Sequence, residues 1–351
     1  MSSRKFLLWF SIISVFIILL ICITNYIVDP FMQYRVKDGK YIINPRFVNP
    51  GLLKNYDYDL LLIGSSMVQL LDMDLLRKKI PSKPLKAASG DMNIKEIELI
   101  YSLAKKEEVK TFIINLDLHK FFLEEVDIRY PEYLYKSSLI NNLRYLLSYE
   151  TNRFTPIDII VSEYLTKEEN ISPKLYNRTK IDKIGDFSLD LIFSSYNVKQ
   201  DFCRRYRPDT TGIYSRMTSR FDQFFSRMQF EEYRDKEFIL FLPPYSVVYW
   251  HAAKIDGYYN EMIDFLYYIL EKSDSYDNIR IVCMYDSDFI TEVNTYADMV
   301  HFSPIRVESI TNIIAEESVA LTLKNIDSNI NKLDSLVTHF EVEYADWLIC
   351  D

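Results

Sequence analysis

The chain is poor in glycine and histidine, with seven and four among its 351 residues, so each of them constrains the reading. Its four cysteines, at 22, 203, 283 and 350, form no C-x-x-C pair, which excludes a zinc ribbon and a dense disulfide framework. Cys203 and Cys350 stand too far apart for spacing alone to pair them. Walker A, H-E-x-x-H and G-x-G-x-x-G patterns are absent, and no metal or organic cofactor is expected. Positive charge is in deficit, 41 Lys and Arg against 50 Asp and Glu, for a net charge of -9. Such a chain lacks the cationic surface that nucleic-acid binding needs. Aromatics are plentiful at 15%, which excludes a disordered acidic chain. Neither internal repeats nor low-complexity tracts occur.

What is present begins with one long apolar run. Phe6 to Val28 is uncharged over 23 residues. As a helix it would extend roughly 34 Å, enough to cross a hydrocarbon core with some tilt. It is long for a signal peptide, and its exit, Thr24-Asn25-Tyr26-Ile27, has no small-residue cleavage site. Bulky Leu20 and Ile21 ahead of Cys22 argue against a lipoprotein. The expectation is an uncleaved anchor after a tail of residues 1–5, with Trp9 and Tyr26 as interfacial aromatics. Arg4 and Lys5 before the run are balanced by Arg35, Lys37 and Lys40 after it, so charge does not orient the helix.

Residues 29–57, with three prolines and two glycines, read as a connecting segment, and residues 58–320 as an α/β domain. Short apolar runs at Asp59–Ile63, Pro84–Ala88, Lys110–Asp117, Glu237–Leu242 and Ile279–Tyr285 read as five strands. Helical periodicity falls between them, at Asn93–Lys106 with Asn93 and Glu96 spaced as a capping box, and at Tyr258–Leu270. This alternation predicts a doubly wound parallel five-stranded sheet. Residues 118–232 break the rhythm and read as a helical insertion between strands three and four, either covering the sheet or acting as a lid or acceptor surface. Leu139–Leu147 is one of its helical patches. Residues 321–351 read as a C-terminal helical extension.

Ligands of an open α/β sheet bind beyond the carboxyl ends of its strands. Strand one is followed by Gly64-Ser65-Ser66, strand two by Ser89-Gly90-Asp91, and strand three by Asp117-Leu118-His119. Strand five is followed by Tyr296-Ala297-Asp298-Met299-Val300-His301-Phe302-Ser303. A serine on a strand-to-helix turn exposes its hydroxyl beside unpaired backbone N–H groups. On this reading Ser66 is the nucleophile, His301 its base, and Asp298 the group that orients His301. The backbone N–H groups of Ser66 and Gly90 are the candidate oxyanion donors. Ser65, Asp117, His119 and Tyr245 are candidate site-lining residues. Each element alone also fits a plain turn, and the conjunction carries the reading. The G-x-S-x-G elbow is absent, because Val68 occupies the position of its second glycine. Arg204-Arg205-Tyr206-Arg207 reads either as an anion grip or as a solvated loop, His251 as packing or surface, and Cys283 as buried.

Gly64-Ser65-Ser66, Ser89-Gly90 and the late Asp298-x-x-His301 together resemble the SGNH (GDSL-like) hydrolase superfamily. The likeness is greatest to its membrane-anchored branch, associated with surface-polysaccharide acylation and teichoic-acid D-alanylation. Phe241-Leu242-Pro243-Pro244-Tyr245-Ser246 is similar to a loop often found after the fourth strand there. Ser65 replaces the family's usual Asp, and the Gly-x-Asn-Asp block is missing, since Ile114-Asn115-Leu116-Asp117-Leu118-His119 has another spacing. The resemblance covers the anchor and roughly residues 59–117 and 237–320, but not the insertion. It implies a single-pass protein with its domain outside the cytoplasmic membrane. The implied activity is serine ester chemistry, acyl (acetyl above all) transfer or removal on a cell-surface glycan, with a multi-pass membrane O-acyltransferase as partner. The alternative is a non-catalytic glycan-binding or scaffold protein of the same fold.

Overall fold

The computed structural model describes residues 2–36, 45–123, 127–156, 193–347 and 349–350. Lys37 and Lys40 of the juxtamembrane charge count, and residues 124–126 and 157–192 of the insertion, lie outside the described residues. Two compact units emerge, one from the described parts of 1–57 and 129–175, the other from those of 58–128 and 176–351. The insertion is therefore shared between them.

The first unit is helical among its described residues. Ser3–Val28 forms one helix, and its exposed apolar side chains include Trp9, Phe16 and Tyr26. It is long and apolar enough to span a membrane. Asp29 ends it in the left-handed region at φ 45°, with its N–H donating to the Asn25 carbonyl. The Asp29 carboxylate then accepts from the N–H groups of Gln33, Tyr34 and Arg35 and from the Tyr145 hydroxyl. Residues 29–57, read as a connector, instead contain a helix, Pro45–Asn55, whose Val48 to Leu53 are buried. Gly51 sits where a Cβ would meet the Phe31 and Met32 carbonyl oxygens at 2.4 Å, so the chain passes there only without a side chain.

The second unit is an α/β sandwich around a five-stranded, all-parallel sheet. Its strands are β1 (Leu60–Gly64), β2 (Pro84–Ala88), β3 (Thr111–Asn115), β4 (Glu237–Leu242) and β5 (Ile279–Cys283). The spatial order is β2-β1-β3-β4-β5. β1, β2 and β3 are buried at every residue, as strands covered on both faces must be. The order reverses between β1 and β3, and open α/β sheets bind ligands beyond the carboxyl ends of the strands at such a point.

Helix Ile94–Leu103 carries the expected capping box, Asn93 and Glu96 each closing on the other's backbone N–H. The insertion's helix Ile213–Met228 buries Ile213, Met217, Phe221, Phe224 and Met228, one stripe at helical spacing. Phe121, Phe221, Phe224 and Phe265 form a ring cluster, and the Tyr101 hydroxyl donates to the Met228 carbonyl at 2.6 Å. This part of the insertion packs against the helices Ile94–Leu103 and Tyr259–Ser273. A long helix, Ile326–Glu343, forms the C-terminal extension.

One covalent link escaped the sequence. Cys203 and Cys350 form a disulfide, with Cα atoms 5.6 Å apart across a separation of 147 residues. Arg205, in the middle of the basic cluster, is buried in a two-pronged pair with Asp256, so it serves the fold and not an anion.

Candidate active site

The site begins at the end of β1. Gly64 leaves the sheet so close to β3 that a Cβ on it would lie 2.4 Å from the Asn115 Cβ and 2.7 Å from Val68. The next residue, Ser65, is buried and caps the turn Ser66–Gln69, its Oγ accepting from the Met67 N–H. Asn115, the last residue of β3, holds this cap from below. Its Oδ1 accepts from both the Ser65 N–H at 3.1 Å and the Ser65 hydroxyl at 2.8 Å. On the far side of the turn, buried Lys86 of β2 donates from Nζ to the carbonyls of Gln69 and Leu71. The turn is thus fixed from both neighbouring strands.

Ser66 follows the cap and is the partly exposed residue between buried Ser65 and Met67. Its Oγ lies 2.7 Å from His301 Nε2, and His301 Nδ1 lies 2.6 Å from Asp298 Oδ2. The other Asp298 oxygen accepts from the backbone N–H groups of Val300 and His301 at 2.8 and 2.7 Å. With Asp298 accepting a hydrogen bond from Nδ1–H, Nε2 faces the serine as an acceptor, the arrangement a general base requires.

Burial works to lower the His301 pKa, but the Asp298 hydrogen bond and negative charge outweigh it, and the net shift is upward. Burial likewise works to raise the Asp298 pKa. Its hydrogen bonds from His301 and from two backbone N–H groups prevail and hold the carboxyl below its ordinary value.

The loop bearing the pair is pinned in several places. Tyr296 and Phe302 form an antiparallel bridge, and the Ala297 N–H donates to the His301 carbonyl. Ser246, which follows the Pro243-Pro244-Tyr245 run after β4, donates from both N–H and Oγ to the Met299 carbonyl. The Tyr296 hydroxyl donates to the Pro244 carbonyl at 2.9 Å. The Asp201 carboxylate, its pKa raised by burial, accepts from the Met299 N–H at 3.0 Å. Asp201 lies in the insertion, where no motif marked it, and sequence reasoning passed over it.

A second polar chain runs beneath the turn. Asn115 Nδ2 donates to the buried Asp117 carboxylate, which also accepts the Tyr245 hydroxyl at 2.6 Å. The Tyr245 oxygen is 3.3 Å from His119 Nδ1. Because the phenolic proton is committed to Asp117, that contact requires the Nδ1–H tautomer of His119. Burial, with help from Lys120, pushes the His119 pKa down to about 4, so it is neutral at neutral pH. Ser65, Asp117, His119 and Tyr245 therefore form one connected network through Asn115, a residue the spacing had set aside as lying in the strand.

The Ser66 N–H has no acceptor among the described residues. Gly90 comes two residues past Ala88, the β2 partner of Gly64, so it leaves the sheet at the same edge. Its neighbour Asp91 pairs with Lys120. Among the described residues no group of three or more His, Cys, Asp or Glu could hold a metal ion. Elsewhere, His251 pairs with Glu341, and His339 with Glu343 on its own helix. Compared with family models, curated proteins and solved structures, the chain matches none.

Proposed function

We propose that this chain is a membrane-anchored serine esterase or acyltransferase acting on a cell-surface polysaccharide. The observation that carries the reading is the continuous relay from the Ser66 hydroxyl through His301 to Asp298. Ser66 Oγ attacks the acyl carbonyl carbon while His301 Nε2 takes its proton. The resulting oxyanion is held by the Ser66 and Gly90 N–H groups. Collapse of the tetrahedral intermediate expels the donor alcohol, which receives the proton from His301 and leaves the acyl group on Ser66. Water or a sugar hydroxyl, deprotonated by His301, then attacks the acyl-serine and regenerates the free enzyme. An acetyl group and a glycan acceptor follow from the resemblance to the anchored SGNH branch, as does partnership with a multi-pass membrane O-acyltransferase. No step requires a cofactor.

The domain belongs, on this reading, on the extracytoplasmic side. The Cys203–Cys350 disulfide supports that side, because structural disulfides persist in oxidising compartments and are rare in the cytosol.

The test uses a fluorophosphonate probe on the full chain and on Ser66→Ala and His301→Ala variants, with the adduct mapped by mass spectrometry. Labelling at Ser66 that is lost in both variants is the expected result. A folded wild-type protein that takes no label, and hydrolyses no aryl acetate, overturns the catalytic reading in favour of a glycan-binding scaffold.

A further inference from the structure

The helix Leu139–Leu147 has its apolar side turned outward. Leu139, Ile140, Leu143 and Leu147 are exposed, the first two at 77%. At about 100° per residue these four fall within an arc of about 100°. Tyr145, the buried residue of the helix, lies outside that arc. A surface helix of a water-soluble protein has the opposite arrangement, with its apolar stripe against the core.

The position of this helix accounts for the inversion. Asn25, one turn before the end of the apolar helix Ser3–Val28, donates from Nδ2 to the Leu146 carbonyl at 2.6 Å and to the Asn152 side chain at 3.0 Å. Its Oδ1 accepts from the Thr155 hydroxyl at 2.7 Å. Tyr145 reaches the Asp29 carboxylate at 2.7 Å, at the helix exit. These bonds tie Leu139–Leu147 to the anchor at the depth of Asn25, about 4.5 Å inside the end of the run at Val28. Its outward stripe is thus exposed on a helix tied to the anchor, whose own apolar side chains are exposed as well. The flanking residues suit a headgroup layer: Arg144 and Arg153 are exposed, as is Tyr149 at 73%. Arg35, at the same exit, donates to the carbonyls of Tyr26 and Ile27.

We propose that Leu139–Leu147 is an interfacial helix that lies in the bilayer surface beside the anchor's exit, with Leu139, Ile140, Leu143 and Leu147 among the lipid chains. The proposal rests on Ser3–Val28 spanning the membrane and is independent of the chemistry at Ser66. It makes the anchor a two-point attachment, so that the first unit is held at a fixed tilt and depth.

The test places single cysteines in the full chain, Ile140→Cys or Leu147→Cys, in a Cys22→Ser, Cys283→Ser background. Each is labelled with an environment-sensitive nitrobenzoxadiazole dye and reconstituted in phosphatidylcholine–phosphatidylglycerol vesicles. Ile13→Cys serves as the control within the span. The expected result is quenching at 140 and 147 by lipid spin-labelled near the headgroup, with protection from aqueous iodide. Quenching by iodide but not by lipid at both positions, while position 13 is lipid-quenched, overturns the interfacial helix and leaves the anchor standing. Protection from both quenchers overturns it in favour of a protein partner on that face. Loss of lipid quenching at position 13 as well overturns the membrane span and this proposal with it.

Discussion

At His301 two opposing influences meet, and the one that prevails sets the pH behaviour of the site. Burial favours the neutral ring, but the Asp298 carboxylate 2.6 Å from Nδ1 favours the charged one, and the net pKa is raised. As a base His301 must be neutral, so acylation is expected to rise with pH through a value above that of an ordinary histidine, about 6.5. Asp298→Asn removes the charge and leaves the burial. The limb then moves to lower pH, and the plateau rate falls by roughly 10³–10⁴-fold, because the wrong tautomer faces Ser66. A pH profile of fluorophosphonate labelling in both proteins checks this. A limb that stays in place in the variant would show that His301 does not supply the base.

Among the elements, the turn after β1 depends most on a single missing side chain. A Cβ at Gly64 would stand 2.4 Å from the Asn115 Cβ and 2.7 Å from Val68. Asn115 cannot retreat without releasing both hydrogen bonds to Ser65. Gly64→Ala is therefore expected to cost about 1–3 kcal/mol by overpacking, and to lower labelling at Ser66 further by tilting the cap. Denaturant unfolding beside labelling of the folded variant measures the two effects separately. Full stability with full labelling would show that β1 and β3 separate freely. The sequence made this turn visible because β1 is a continuous apolar run ending at glycine, and such runs mark buried parallel strands. It also placed β2, β4 and the capped helix Ile94–Leu103, each with local punctuation. The clamp beneath the turn was not legible. Asn115 looks like any strand residue until the register sets β3 beside β1, and Asp201 is an unmarked helix residue until its helix meets the Met299 loop. Both act across long sequence separations, where local periodicity carries no information.

On the scale of the whole chain, the same limit hid the Cys203–Cys350 disulfide. Nothing local relates the end of the helix Ser195–Arg204 to a cysteine 147 residues later. Its closure removes chain entropy from the unfolded state, and loss of such a link costs about 2–5 kcal/mol. Reduction of the full chain is accordingly expected to lower its resistance to denaturant by that amount, with Cys22 and Cys283 unaffected as free thiols. The bond also makes the proposed orientation, on which flanking charge is silent, open to test. If the domain lies outside the cytoplasmic membrane, Cys203 and Cys350 in cells making a Cys22→Ser, Cys283→Ser chain should resist maleimide after denaturation until a reductant is added. A protease applied outside spheroplasts should then cut the domain. Thiols that react at once, together with a protected domain, would place the sheet and its serine in a reducing compartment. The glycan substrate would then have to be abandoned, while the Ser66–His301–Asp298 relay would still need an ester to act upon.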